Sequence, residues 1–126
     1  MRVILFTTLL LFSVNGFAFN WKKVTTNMSG DTFYVDVSNI KKHNGLVYFW
    51  MLNDYLEPSE FGTNSTINKL KVDCGEEKQT WLGSTSYTQS MGRGNIIFEG
   101  NSNTIQYPKP KSIRYIVMKF ACDNAR

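Results

Sequence analysis

A period of two in the side chains constrains this chain more than any other feature. From Thr66 to Cys74, Leu70, Val72 and Cys74 fall on one side and Lys69, Lys71 and Asp73 on the other. That alternation belongs to a strand with one dry and one wet face. The pattern recurs along the chain. Trp21 to Val24 is a short opening strand, and Thr32 to Val37 is rich in β-branched and aromatic residues. Lys41-Lys42-His43-Asn44-Gly45 follows, and Asn-Gly marks a hairpin because both residues tolerate positive φ. Leu46 to Tyr55 is bulky on both sides, with Val47, Phe49 and Met51 on one and Tyr48, Trp50 and Leu52 on the other. A strand covered on both faces fits, which makes it central. Thr80 to Thr88 is a fifth strand, Met91-Gly92-Arg93-Gly94 a turn, and Asn95 to Glu99 a sixth strand.

Gly100 to Pro110 is expected to be loop, since Pro108 and Pro110 cannot donate to a ladder. The period then changes. Ile113, Ile116, Val117, Phe120 and Ala121 recur at helical spacing, and Ser112 stands at the N-cap position. A seventh strand is the competing assignment, given the β-branched content. The expected class is α+β, mainly β: a six-stranded antiparallel sheet with one C-terminal helix.

The N-terminus sets the compartment. Met1-Arg2 is followed by a nearly unbroken apolar stretch from Val3 to Val14, then Gly16-Phe17-Ala18 with small residues at the cleavage positions. Twelve helical residues cover about 18 Å, too short for a bilayer core of ~30 Å. Residues 1–18 are therefore expected to be a signal peptide, and residues 19–126 a single domain. No cysteine stands near the cleavage point, the first being Cys74, so no lipid anchor is expected there. No later stretch has the length and apolarity of a transmembrane segment. The expected location is the periplasm or the medium, with the cell surface as a further possibility.

Two cysteines in an exported chain allow one internal bridge, Cys74–Cys122. Free thiols or an intermolecular bond are the alternatives. The internal bridge closes a loop of about 48 residues, for which chain entropy predicts ~4 kcal/mol.

The side-chain inventory argues against an enzyme. The single histidine, His43, sits in a hairpin tip, where a base rarely meets both a nucleophile and an orienting carboxylate. With both cysteines bridged, too few ligands remain for zinc, and no metal or cofactor is expected. Asp54 and Glu57 flank Tyr55 and Asp36 ends the second strand, but strand-end aspartates commonly accept backbone N–H bonds in turns. The G-x-G of Gly92 to Gly94 lacks the third glycine of a nucleotide loop.

A net charge of +4, with Arg2 in the leader, is too mild to indicate nucleic acid. The lysines nevertheless come in pairs: Lys22-Lys23, Lys41-Lys42, Lys69 with Lys71, and Lys109 with Lys111. Lys41, Lys42, Lys69 and Lys71 are the candidate basic surface, able to meet an acidic partner. Lysines that guard sheet edges are the structural alternative. Aromatics reach 14%; in so small a domain most of Trp21, Trp50, Trp81 and the tyrosines are expected in the core.

In order, these landmarks resemble the bacterial surface-adhesin protein E family. They are Trp21, Tyr34-Val35-Asp36-Val37-Ser38-Asn39-Ile40, Trp50-Met51-Leu52-Asn53-Asp54-Tyr55, Ser65, Lys69, Asp73-Cys74, Tyr87, Met91, Gly92, Gly94, Pro110-Lys111-Ser112-Ile113 and Cys122. The resemblance implies a six-stranded sheet with a C-terminal helix, binding of host extracellular-matrix or serum proteins, and a homodimer. The expected function is thus an exported, non-catalytic binding protein with a basic and aromatic contact surface. An inhibitor of a host hydrolase such as lysozyme, or an uncharacterised periplasmic structural protein, is the alternative.

Overall fold

The computed structural model describes residues 18–125. The expected signal peptide lies outside the described residues except for Ala18. The β-branched and aromatic segments form strands β1 (Trp21–Thr26), β2 (Thr32–Asp36), β3 (Lys41–His43), β4 (Leu46–Asp54), β5 (Ser65–Asp73), β6 (Lys78–Gln89) and β7 (Arg93–Gln106), followed by helix α1 (Ile113–Asp123). The sheet is antiparallel, in the order β1-β2-β4-β5-β6-β7, with β3 pairing β4 beyond the end of β2. The six expected strands are present, and β3 adds a short seventh. Asn44 and Gly45 have φ of 52° and 78°, the positive values a two-residue hairpin turn requires.

The clearest correction concerns β7. It begins at Arg93 and runs to Gln106, through the Arg93-Gly94 expected to turn and the Gly100–Gln106 expected to be loop. Glycines and asparagines lower local strand propensity, but pairing to the long β6 overrides it. That pairing slips in register at three places, so bulges absorb the residues that fit a ladder poorly.

β4 is central as expected, and its alternation divides the molecule. Val47, Phe49 and Met51 meet Val35, Leu70 and Val72 in a core closed by Val117, Met118 and Ala121 of α1. The helix stripe is rotated from the expected one: Met118 is buried and Ile116 is 37% exposed. Ser112 caps the helix, its hydroxyl accepting from the Tyr115 amide at 3.2 Å. The other face of β4 is covered only in part. Leu52 and Ile67 are buried there, and the turn Ser90–Gly92 comes within reach of both side chains. The Met91 amide donates to Asp54 and the Gly92 amide to Ser65 Oγ, at 2.9 and 2.8 Å.

Cys74 and Cys122 are bonded, 48 residues apart, fastening the end of α1 to the end of β5. Tyr115 on the helix donates to Glu77 at 2.6 Å. That hydrogen bond, then burial, then the Glu77 charge raise the phenol pKa above its usual 10.0. Its stabilising share is therefore present below pH 10 and lost in more alkaline solution. Replacing both cysteines by serine is expected to lower stability by about 4 kcal/mol, the entropy of opening a loop of this length. Chemical denaturation checks this, with an unchanged midpoint as the contrary outcome.

Candidate binding face

Opposed residues in an antiparallel pair project to the same side, so the pairing register assigns each lysine to a face. Lys41 lies opposite Tyr48, Tyr48 opposite Lys71, and Trp50 opposite Lys69. Three of the four expected lysines therefore share the face away from α1 with two aromatics. Lys42 lies opposite Val47, a core residue, and projects to the helix side at the hairpin edge. At this edge Lys41, Lys42 and Lys69 line a groove beside the aromatics, whereas Lys71, Lys22, Lys23, Lys109 and Lys111 do not.

That groove has a volume of about 480 Å³ and is bordered by the β3–β4 hairpin, Tyr48, Trp50 and Lys69. Its lining contains lysines, histidine, asparagine and aromatics but no Asp or Glu. The Lys69 ammonium sits 5.5 Å from the Trp50 ring centroid, within cation–π range. Phe19 also meets Trp50 edge-on at 5.9 Å and stacks on Trp21 at 4.5 Å. The chain before β1 is held there by Asp36, a fully buried carboxylate. It accepts from the Asn20 and Ser38 amides at 3.0 and 3.1 Å and from Asn39 Nδ2 at 2.6 Å. The strand-end aspartates thus do structural work, as their position implied.

Trp21, Trp50 and Trp81 are all half-buried rather than interior. Trp81 belongs to the helix side, with its indole N–H donating to Gln106 at 2.8 Å and Arg114 over its ring at 5.9 Å. Phe19, Tyr48 and Asn39 were not singled out from sequence as contact residues. The two-residue turn at Asn44-Gly45 does fix Lys41 opposite Tyr48, so that part of the groove was accessible from the turn chemistry alone.

His43 lies exposed at the hairpin end, with its ring 6.5 Å from Tyr48 and Nε2 3.2 Å from the Asn44 side chain. No nucleophile or carboxylate orients it in these contacts. Among the described residues no three His, Cys, Asp or Glu side chains gather as a metal cluster. No helix among them is long and apolar enough to cross a membrane. The geometry offers cations and flat aromatic surfaces, which suits binding.

The family model of surface-adhesin protein E matches residues 21–123. The chain belongs to that family. Two solved structures of Haemophilus influenzae protein E are similar to it, each at 16% identity and 86% coverage of this chain. The crystal form II structure aligns with a TM-score of 0.66 over 91% of its length, and another structure with 0.64 over 88%. At that identity the likeness concerns the fold. No curated protein sequence matches. Membership makes this an adhesin-like protein, of a type found exported or at the cell surface, and the disulfide accords with that setting.

Replacing Asp36 by alanine leaves three donors without their acceptor and is expected to cost about 2–3 kcal/mol. It should also release Phe19 from Trp50. A tryptophan emission spectrum unchanged in the folded variant would contradict the anchoring role.

Proposed function

We propose that the protein is an exported, non-catalytic adhesin whose open face docks an acidic region of a host extracellular-matrix or serum protein. The observation that carries this is the groove beside Trp50: Lys41, Lys42, Lys69 and His43 with aromatic walls, and no carboxylate in the lining. Trp and Tyr supply large contact area at low entropic cost, and exposed lysines steer an acidic partner and fix its register. Family membership supports adhesion as the role. The apolar leader and the disulfide support export to the periplasm, the medium or the surface. Self-association, expected from the family, belongs to the same proposal. Ile96 and Phe98 on the outer strand, 55% and 59% exposed, are the apolar surface it would cover. The inhibitor alternative asks for a projecting Ser- and Gly-rich loop, and Gly83–Tyr87, a poor match to such a motif, lies within β6.

Purified protein is expected to bind immobilised vitronectin or laminin saturably, and more weakly as salt rises. Converting Lys41, Lys42 and Lys69 together to alanine should weaken binding about tenfold, from three exposed ion pairs of ~0.5 kcal/mol each. Lys109→Ala, outside the groove, should leave binding unchanged. Surface plasmon resonance reads both. Binding indifferent to the triple substitution would remove the open face as the contact.

A further inference from the structure

The groove beside Trp50 does not end at Trp50. A second depression, of about 410 Å³, lies across it on the same face, bordered by Gly83, Thr85, Glu99 and Asn101. Trp50 and Lys69 line both. The register explains the continuity: Trp50 lies opposite Lys69, Lys69 opposite Gly83, and Gly83 opposite Asn101. One row of side chains thus crosses β4, β5, β6 and β7, and Gly83 leaves a gap in it. A Cβ at that position would lie 3.4 Å from the Gly100 carbonyl oxygen, so the gap is a channel floor with a backbone wall.

Charge is segregated along this path. Lys41, Lys42 and Lys69 border the first depression with no acid, while Glu99 and Lys69 are the charged residues of the second. From β3 to β7 the path crosses four strand spacings of ~4.8 Å, about 19 Å, the length of roughly six extended residues at ~3.3 Å each. Strand addition at the free edge of β7 is opposed by its three register slips. A ligand on the face itself avoids that obstacle.

We infer that the open face holds an extended peptide segment of about six residues laid across the strands, acidic over the β3–β4 hairpin and basic over β7. This rests on the open face being the contact surface, as proposed above. It names the ligand as a polypeptide with separated charges. An anionic polysaccharide carries one sign of charge throughout and would meet Glu99 with repulsion.

The test is a tryptophan-fluorescence titration of the purified protein with four probes: the hexapeptide Glu-Glu-Ser-Ser-Lys-Lys, its charge-interleaved isomer Glu-Lys-Ser-Ser-Glu-Lys, the all-acidic Glu-Glu-Ser-Ser-Glu-Glu, and a heparin hexasaccharide. The segregated peptide should bind about fivefold tighter than its isomer. Gly83→Leu, which fills the channel, should abolish that preference. Glu99→Lys, an exposed change, should make the all-acidic peptide the tighter ligand, and it decides the matter alone if Gly83→Leu fails to fold. Equal affinity for the two isomers, or a preference for the heparin fragment, overturns the inference. If the triple lysine variant still loses vitronectin or laminin binding in that event, only the path across the strands falls. If that variant keeps its binding, the open face itself is not the contact.

Discussion

One helix cannot cover two faces of a sheet, and the organisation of this protein follows from which face it covers. The Cys74–Cys122 bond holds α1 against one side, and Val117, Met118 and Ala121 dry that side out with the inward residues of β2, β4 and β5. The opposite side must then be stabilised by smaller devices. At one end the Ser90–Gly92 turn reaches Leu52 and Ile67; elsewhere Phe19, stacked on Trp21, meets Trp50 edge-on. Between them lies surface that is neither core nor fully wet. A half-covered aromatic there retains apolar area that a partner can still bury.

Local rules recover most of the fold. The two-residue alternation and turn chemistry place β1, β2, β4, β5, β6 and the middle of β7, the cysteine count identifies the bridge, and the Ser112 cap with its helical spacing marks α1. What escapes is what depends on distant partners. The reach of β7 beyond Asn95–Glu99 is unreadable locally because Gly94, Gly100 and the neighbouring asparagines favour turns, and only β6 beside it supplies the ladder. The helix stripe is right at Ile113, Val117, Phe120 and Ala121, but it omits the buried Met118 and includes Ile116, which is 37% exposed. The face of Lys41 follows from turn length, whereas placing Lys69 over Trp50 requires the register across the long Tyr55–Asn64 connection. No short-range rule sets that register.

β7 carries exposed apolar side chains on an outer strand, a combination that invites unwanted pairing. The bulges bend it, Gly94 adopts φ of 83°, and Arg93 and Glu99 place charge along it. Phe98 lies close over Gly100, an aromatic covering bare backbone in the manner used to steady glycine-bearing edges. The strand is therefore long without being a flat template. Its side chains remain available to a partner while its backbone edge is a poor one.

The same division bears on how the family can keep its fold at 16% identity with Haemophilus influenzae protein E. In this chain the fold rests on a pattern: alternating apolar positions, a buried Asp36 at a strand end, and a cysteine pair. Such a pattern tolerates exchange of one apolar residue for another of similar volume. The groove residues Lys41, Tyr48, Lys69 and Glu99 lie outside that requirement, since none of them is buried in the core. Each exposed charge contributes less than about 1 kcal/mol to any single contact, so affinity has to come from several acting together over aromatic surface. Ligand choice can then change by altering a few exposed charges on an unchanged sheet, and a shared fold carries no information about which partner this particular face selects.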